Sequence, residues 1–238
     1  MERKGILYEG KAKTLYLTDG EDFLVQYFKD DTTAFDGMKK EQLEDKGLIN
    51  CAISMKIFEF LEKNGVKTHF EKMLSPREML VKKCEIIPVE VVVRNVAAGS
   101  FSRRYGVKEG TPIKEPFLEL FYKSDELHDP MVCVNHVFLF GWADRDEIDF
   151  MTKEALKINN LLRNFFANID IVLVDFKLEF GRHNGKVILA DEITPDSCRL
   201  WDKSTGEVLD KDRFRKDMGN VVESYKEIYG RIMERYGE

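Results

Sequence analysis

Within the segment LVDFKLEFG, residues 173–181, apolar and charged residues alternate strictly from Val174 to Phe180. Side chains alternate across a β-strand, so this pattern predicts a strand with two different faces. One face carries the apolar residues Val174, Phe176, Leu178 and Phe180. The other face carries Asp175, Lys177 and Glu179. A turn at 184–185 and a second strand over 187–192 complete a predicted hairpin with one apolar and one charged face.

The rest of the pattern predicts strands first and a mixture of strands and helices later. Strands are predicted at 6–9, 14–18, 23–28, 66–70, 79–84, 89–94 and 117–122. Apolar residues at helical spacing predict helices over 49–64, 144–167 and 212–236. Loops are predicted at 30–37, 123–130 and 200–211. This order favours an α+β fold with an antiparallel N-terminal sheet over a wound parallel sheet.

The predicted turn decides which face of the hairpin carries Asp191. A two-residue turn at 184–185 pairs Leu178 with Asp191 and places Asp191 on the apolar face. A three-residue loop or a bulge places Asp191 opposite Glu179 instead. Carboxylates are hard oxygen ligands that suit Mg²⁺, so Asp175, Glu179 and Asp191 are candidate ligands. If Glu179 and Asp191 bind one ion, we predict that the turn is not a simple two-residue turn. A solvated charged face is the alternative.

The segment Gly10-Lys11-Ala12-Lys13 lies between two predicted strands. A glycine at a turn lets backbone amides approach a ligand, and the lysines add positive charge for a phosphate. The segment is not a Walker A loop. A solvated surface hairpin is the alternative interpretation.

A second candidate anion site is the segment EVVVRNVAAGS, residues 90–100. Glu90 and Arg94 share a face of a straight strand, which is also compatible with a weak surface ion pair. Ser100 and the following Arg103 and Arg104 offer a hydroxyl group and guanidinium groups to a phosphate, near a possible helix start. Both interpretations stay open at this point.

Composition narrows the functional classes. The 238 residues include 37 Lys plus Arg and 43 Asp plus Glu, and the net charge of -6 gives no bulk electrostatic reason to bind nucleic acid. Residues 1–18 do not resemble a signal peptide, and no apolar run reaches membrane-spanning length. Without a CxxC pair, the cysteines are interpreted as buried, reduced thiols of a cytoplasmic protein: Cys51, Cys84, Cys133 and Cys198. HExxH and GxSxG motifs are absent, which favours Mg²⁺-assisted phosphoryl chemistry over covalent catalysis.

Five segments in family order resemble the SAICAR synthetases, ATP-dependent ligases of purine biosynthesis, and most closely their compact bacterial form. They are YEGKAKTLY at 8–16, DDTTAFDG at 30–37, IIPVEVVVRNVAAGS at 86–100, LVDFKLEFG at 173–181 and DEITPDSCRLWD at 191–202. Cys198 stands where another small residue is expected. The resemblance implies condensation of carboxyaminoimidazole ribonucleotide with L-aspartate through an acyl phosphate, giving ADP and phosphate.

The resemblance also implies a division of labour among the residues. Nucleotide contacts are expected from Lys11, Ala12, Lys13, Lys82, Cys84 and Lys123, in a cleft between an N-terminal lobe, 1–85, and a larger mixed lobe, 86–238. Ribonucleotide contacts are expected from Glu90, Arg94, Ser100 and Arg199, with Asp36 and Asp196 as weaker candidates. Lys177 and Asp175 are expected at the reacting carboxylate, and Glu179 and Asp191 at Mg²⁺. For L-aspartate, Arg215 and the loop 30–37 are the only suggestions.

Other functions remain as alternatives. A small-molecule kinase shares the lysines and metal-binding carboxylates but needs no aspartate. A nucleotide-sensing module tolerates loss of Lys177 and Asp175, and a scaffold protein does not need this density of charge on apolar-flanked strands. Apolar strands around 132–140 are expected to support a homodimer. No nucleic-acid or membrane partner is expected.

Overall fold

The computed structural model describes residues 2–34 and 38–237. Its strands are β1 Arg3–Glu9, β2 Lys13–Thr18, β3 Phe23–Phe28, β4 Asp31–Ala34, β5 Lys39–Gln42, β6 Phe70–Ser75, β7 Glu78–Lys82, β8 Glu85–Ile86, β9 Val89–Val96, β10 Pro112–Tyr122, β11 Met131–Val132, β12 Ile171–His183, β13 Lys186–Ala190 and β14 Cys198–Asp202. Its helices are α1 Lys46–Lys63, α2 Gly99–Tyr105, α3 Val134–Leu139, α4 Arg145–Ala167, α5 Asp212–Arg215 and α6 Val221–Tyr236. The predicted α+β class is confirmed.

Two antiparallel sheets organise these elements. The first has the order β1-β2-β3-β7-β6, as short turns between successive strands predict. The second has the order β11-β10-β9-β12-β13, and β14 and β8 also pair with β12. The predicted charged strand, β12, is therefore bordered by four strands. Among the described residues, no helix is long and apolar enough to cross a membrane.

The two long helices cover the sheets with the faces that their periodicity predicts. Helix α1 packs on the first sheet and on α6, and α4 packs against β12 and β9. A capping box begins α4: the Glu147 amide donates to Asp144 Oδ1 at 2.8 Å, and the Asp144 amide donates to Glu147 Oε2 at 3.0 Å. This reciprocal pair satisfies two amides that helical hydrogen bonds leave free.

Several predicted boundaries are wrong. The predicted loop 30–37 contains strand β4, which pairs with β5 and buries Thr32 and Ala34. The predicted loop 200–211 begins within β14, and β6 starts only at Phe70, where the predicted strand 66–70 ends. These segments become strands through pairing with distant partners, which local composition does not reveal.

Two further corrections concern the C-terminal half. The predicted helix 212–236 breaks between α5 and α6, where Asp217, Gly219 and Asn220 have positive φ angles. A helix cannot continue through successive left-handed residues. In the segment 132–140 only Val132, the end of β11, belongs to a strand, and a short helix, α3, follows; the apolar side chains of Leu139 and Phe140 are exposed at 74% and 60%.

Candidate functional site

Strand β12 positions the centre of the site. Its apolar residues Val174, Phe176, Leu178 and Phe180 are buried in the core, as predicted. The charged face is not solvated: Asp175 is 3% exposed and Glu179 is 4% exposed. Buried charges need partners, and the strands beside β12 supply them. The alternative of a solvated charged face is wrong.

The hairpin register prediction is also wrong. Strand β12 pairs with β13 from Glu179 opposite Ala190 to His183 opposite Lys186, which is a strict two-residue turn. We predicted that this turn would separate Glu179 and Asp191. The prediction assumed that the pleat continues through Asp191, but β13 ends at Ala190.

Asp191 instead has a φ angle of 65° and bends the chain out of the sheet. Asp191 and Glu179 therefore line the same cavity, despite the two-residue turn. Among the described residues, no three metal-ligating side chains converge. The two carboxylates reach the same cavity through the left-handed Asp191 and not through strand register.

Three lysines surround this carboxylate pair. Lys13 forms an ion pair with Asp191, and both Lys123 and Lys177 pair with Glu179. Burial lowers the pKa of the Lys13 ammonium, but the neighbouring carboxylates, Asp191 foremost, outweigh burial and raise this pKa. Burial conversely favours a higher pKa for Asp191, but the three lysines outweigh it and hold this pKa well below its usual range. Lys13 and Asp191 are therefore both charged at neutral pH.

Both carboxylates line a largely apolar cavity of about 410 Å³, which we call the apolar cavity. It is lined by Leu7, Tyr8, Lys13, Leu15, Leu24, Gln26, His69, Val81, Lys82, Cys84, Ile86, Pro88, Lys123, Glu179 and Asp191. These residues come from both sheets. A largely apolar cavity that is also lined by lysines and carboxylates suits a flat ring joined to a polyphosphate.

The segment 82–84, predicted to contact adenine, contributes Lys82 and Cys84 to the apolar cavity. The Lys82 amide donates to the His69 carbonyl at 2.7 Å, and the Lys83 amide donates to the Asp22 carbonyl at 2.8 Å. Gly181 on β12 lies against this segment, because a Cβ added there would come 2.7 Å from the Cys84 Cβ. The lack of a side chain at Gly181 lets the segment pass close to β12.

A second cavity of about 520 Å³, the charged cavity, lies beside the charged face of β12. Its charged lining residues are Lys11, Glu90, Arg94, Asp129, Asp175, Lys177, Asp196, Arg199, Lys211 and Arg215. Six of these side chains are cationic and four are anionic. The excess of positive charge suits an anionic small molecule.

Strand register assembles the ion pairs beneath the charged cavity. Asp175 lies directly opposite Arg94 on β9 and opposite Arg199 on β14. Arg94 Nη1 donates to Asp175 Oδ2 at 2.8 Å, and Arg199 Nη1 donates to both Asp175 oxygens at 3.0 Å. Arg94 Nη2 also donates to Ser100 Oγ at 3.2 Å. Four of the predicted site residues are therefore brought into one hydrogen-bonded group.

The shared-face interpretation allowed an ion pair between Glu90 and Arg94, but each of the two residues has a different partner. Lys177 Nζ donates to Glu90 Oε1 at 2.5 Å, and Arg94 Nε donates to Glu119 Oε2 at 2.6 Å. Sequence reasoning missed Glu119, which lies on β10 between apolar neighbours. A lone acid within an apolar strand is the signal that could have identified it.

Gly99 allows a close approach of α2 to β14. Its φ angle is 54°, and a Cβ at this position would lie 2.4 Å from Arg199 Nη2. Any other residue would displace the Arg199 guanidinium group, which also donates from Nε to Asp212 Oδ2 at 2.8 Å. Asp212 is a second partner that the sequence did not identify.

Of the remaining predicted residues that the structure describes, Lys11 and Asp196 line the charged cavity and Ala12 lines neither cavity. Lys11 lines the charged cavity and pairs with Asp125 at 2.6 Å, and the Ala12 carbonyl accepts the Lys29 amide at 2.8 Å. Asp196 lines the charged cavity but is itself hydrogen-bonded within the protein. The Asp36 prediction lies outside the described residues.

All four cysteines are free thiols. Cys51 and Cys198 are buried and Cys84 is partly buried, but Cys133 is exposed, so the prediction of burial is wrong there. Burial raises the pKa of the Cys51 thiol to about 12 and that of Cys84 to about 11. These two thiols are therefore protonated and poor nucleophiles at neutral pH.

The chain is similar to known proteins over nearly its whole length. A family model described as SAICAR synthetase matches residues 6–232. A phosphoribosylaminoimidazole-succinocarboxamide synthase from Magnetococcus marinus is 54% identical over 235 residues, which is 98% of this chain and 97% of that protein. The synthase of the same name from Caldanaerobacter subterraneus is 55% identical over 234 residues, 98% of this chain and 100% of that protein.

Solved structures show the same relationship. The phosphoribosylaminoimidazole-succinocarboxamide synthase from Ehrlichia chaffeensis superposes with a TM-score of 0.94 at 47% identity, covering 96% of this chain and 98% of that chain. A SAICAR synthetase in complex with ADP gives a TM-score of 0.93 at 48% identity, covering 98% and 100%. The chain therefore belongs to the SAICAR synthetase family, whose members catalyse an ATP-dependent ligation in purine biosynthesis.

Proposed function

We propose that this chain condenses carboxyaminoimidazole ribonucleotide with L-aspartate, using ATP and Mg²⁺, to give SAICAR, ADP and phosphate. The observation that carries the proposal is that three charged residues at alternate positions of β12 line the two cavities. Glu179 lines the apolar cavity, Asp175 lines the charged cavity, and Lys177 lines the charged cavity while pairing with Glu179. A nucleotide in one cavity and a carboxylate in the other would meet beside Lys177.

The chemistry explains why such an arrangement is useful. A carboxylate oxygen is a poor leaving group for an incoming amine. Transfer of the γ-phosphoryl group to this oxygen gives an acyl phosphate, and the amine of L-aspartate then forms the amide and releases phosphate. The protein's contribution is alignment of the reactants and stabilisation of developing charge.

The apolar cavity is the proposed nucleotide site. The 82–84 segment would contact the edge of the adenine ring. Lys13 and Lys123, which also line this cavity, would bind the phosphates. Lys11 and Ala12 would extend this contact from the turn between β1 and β2. The relative solved with ADP has the same fold, which supports nucleotide binding by this chain.

Glu179 and Asp191 are the proposed Mg²⁺ ligands. Their carboxylates fit the ion's preference for hard oxygen donors, and two protein ligands leave positions for phosphate oxygens and water. Bound Mg²⁺ supplies neutralisation of phosphate charge during phosphoryl transfer. Lys13, Lys123 and Lys177 pair with the same carboxylates.

The charged cavity is the proposed ribonucleotide site. Arg94, Ser100 and Arg199 would bind the phosphate and carboxylate groups, and Glu90 would orient Lys177. Asp36 and Asp196 are proposed as weaker ribonucleotide contacts, and Asp196 lines this cavity.

Lys177 and Asp175 are the proposed catalytic residues. Burial opposes the charged form of Lys177, but attraction by Glu179 and Glu90 prevails and raises its pKa well above the usual value. Lys177 therefore acts as a fixed positive charge for the transferring phosphoryl group and not as a general base. Asp175 holds the arginines at the reacting carboxylate.

We also propose two lobes, 1–85 and 86–238, and a homodimer that covers the apolar side chains of Leu139 and Phe140. The free cysteines support a reducing, cytoplasmic location. Sedimentation at working concentration tests the dimer, and a monomeric value contradicts it.

Incubation with ATP, Mg²⁺, the carboxylated ribonucleotide and L-aspartate, with each omitted in turn, tests the function. We expect SAICAR only in the complete mixture. A stable phosphorylated product without aspartate would identify a kinase, and nucleotide binding without any product would identify a sensing module.

A further inference from the structure

Lys46, in the first turn of α1, has a completely buried side chain. Its ammonium Nζ donates to the Asp31 carbonyl at 2.9 Å and lies 2.7 Å from Asp196 Oδ2. Removing an ammonium group from water is costly unless an opposite charge and hydrogen bonds compensate for it. A lysine in this position therefore depends on both of its partners.

Asp196 is committed to the protein through both carboxylate oxygens. Its Oδ2 accepts from Asn50 Nδ2 at 3.0 Å as well as facing Lys46, and its Oδ1 accepts from Tyr225 Oη at 2.7 Å. Burial favours a raised pKa for this carboxyl group, but Lys46 outweighs burial and holds the pKa well below its usual range. The buried Asp196 carboxylate thus links α1 with α6 through an ion pair and hydrogen bonds.

This network joins two walls of the charged cavity. Asp31 begins β4, whose Thr33 and Ala34 line the cavity. Asp196 lies three residues before Arg199, another lining residue. The Lys46 ammonium group contacts both Asp31 and Asp196. It therefore ties together the two walls of the cavity to which these residues lead.

We propose that Lys46 is a positioning residue that fixes β4 and the segment 196–199 around the ribonucleotide. Lys46 acts through Asp196 and the Asp31 carbonyl and does not touch substrate. This inference rests on the proposed function, because it takes the charged cavity as the ribonucleotide site. It reassigns Asp196 from a substrate contact to a member of the positioning network.

Lys46→Met is the first test, with the KM for each substrate measured separately. Small displacements at a binding site can cost about a hundredfold in activity, so we expect the KM for the carboxylated ribonucleotide to rise about tenfold or more. Binding of a non-hydrolysable ATP analogue, measured by calorimetry, should stay within about twofold of the original, because Lys46 does not line the apolar cavity. Lys46→Arg should restore much of the ribonucleotide affinity.

Two further variants separate positioning from stability. Tyr225→Phe removes one hydrogen bond to Asp196 and should raise the same KM several-fold while the protein stays folded. The double variant Lys46→Met, Asp196→Asn removes both buried charges, so thermal stability should recover while ribonucleotide affinity stays low. Lys56→Met, on the same helix but paired only with Glu59, is the matched control.

Unchanged ribonucleotide affinity in folded Lys46→Met and Tyr225→Phe would overturn the proposal. Equal losses of ATP-analogue and ribonucleotide affinity would overturn it as well, and so would recovery of both stability and affinity in the double variant. If Lys46→Met does not fold, Tyr225→Phe decides. Failure of the unmodified enzyme to form SAICAR would instead refute the proposed function, whereas calorimetry with the ribonucleotide tests the positioning role without turnover.

Discussion

The ammonium group of Lys177 lies 2.5 Å from Glu90 Oε1 on β9 and 3.2 Å from Glu179 Oε1 on its own strand. It thus pairs with only one of its two acidic neighbours along β12, because Asp175 is occupied by Arg94 and Arg199. Lys177 lines the charged cavity and is linked by this ion pair to Glu179, which lines the apolar cavity. The proposed phosphoryl transfer to a carboxylate beside Lys177 depends on this position.

Replacing Lys177 should affect turnover far more than nucleotide affinity. Lys177→Ala is expected to lower kcat by about a hundredfold to a thousandfold, as is typical when a group that stabilises transition-state charge is removed. The dissociation constant for an ATP analogue should change by less than about threefold, because the apolar cavity is retained. Steady-state kinetics and calorimetry measure the two quantities.

Lys186→Ala, at an exposed position of β13, is the matched control for loss of a lysine. It should behave like the unmodified enzyme. Near-normal turnover of Lys177→Ala would remove Lys177 from the catalytic group.

Loss of either proposed metal ligand should raise the Mg²⁺ requirement. Glu179→Gln and Asp191→Asn each keep the shape of the side chain but remove a charged oxygen ligand, so half-maximal activity should need about tenfold more Mg²⁺. Mg²⁺ titrations of activity at saturating ATP measure the shift. Glu154→Gln on α4, which pairs only with Lys157, provides the comparison, and titration curves identical to that control would exclude Glu179 and Asp191 as ligands.

Arg199 should matter for the ribonucleotide and not for the nucleotide. Arg199→Ala removes a guanidinium group from the charged cavity, so ribonucleotide affinity should fall by at least about tenfold. Affinity for the ATP analogue should be retained, because Arg199 does not line the apolar cavity. Calorimetry with each ligand, beside the exposed control Arg163→Ala, measures both effects. A parallel loss of both affinities would show a general structural defect instead.

Asp210 should make folding stability depend on pH. Its carboxylate is buried and accepts the amides of Leu200 and Asp212, and burial together with the Asp212 charge raises its pKa to about 7. The folded protein therefore keeps this proton to a higher pH than the unfolded chain, whose aspartate has a pKa of about 3.9. The stabilising contribution is fully present below about pH 4 and is lost as pH rises to about 7.

Relative to Asp210→Asn, which does not titrate, the unmodified protein should therefore lose free energy of unfolding across that pH range. The upper limit is about 1.4 kcal/mol per pH unit. Urea unfolding of both proteins at several pH values measures the difference, and Asp170→Asn at an exposed position serves as the control. A difference that stays constant with pH would show that the folded-state pKa is not raised.

The sequence predicted what depends on local periodicity. The buried apolar face of β12, the helix that begins after Asp144 and the antiparallel first sheet all follow from spacing and capping residues. Strand β4 was missed because its residues are polar and its pairing with β5 supplies most of the evidence for a strand. The SAICAR synthetase family was recognised because five segments matched in order.

The site was predicted less completely, for physical reasons. Periodicity cannot show that Asp191 leaves the strand with a positive φ angle, so the register inference wrongly required a longer turn to place Asp191 on the same side as Glu179. Partners that are distant in sequence are equally hidden: Glu119 binds Arg94 from 25 residues away, and Lys46 on α1 binds Asp196 in the loop before β14. Such pairs depend on tertiary packing and are not encoded by local spacing.

Isotopic labelling follows oxygen from the ribonucleotide to phosphate and tests directly whether the carboxylate is phosphorylated. The carboxylated ribonucleotide is labelled with ¹⁸O in its carboxylate and incubated with ATP, Mg²⁺ and L-aspartate, and the released phosphate is analysed by mass spectrometry. Activation of the carboxylate as an acyl phosphate predicts that each phosphate formed with SAICAR carries one carboxylate oxygen. Unlabelled phosphate, released alongside SAICAR, would contradict phosphoryl transfer to the carboxylate.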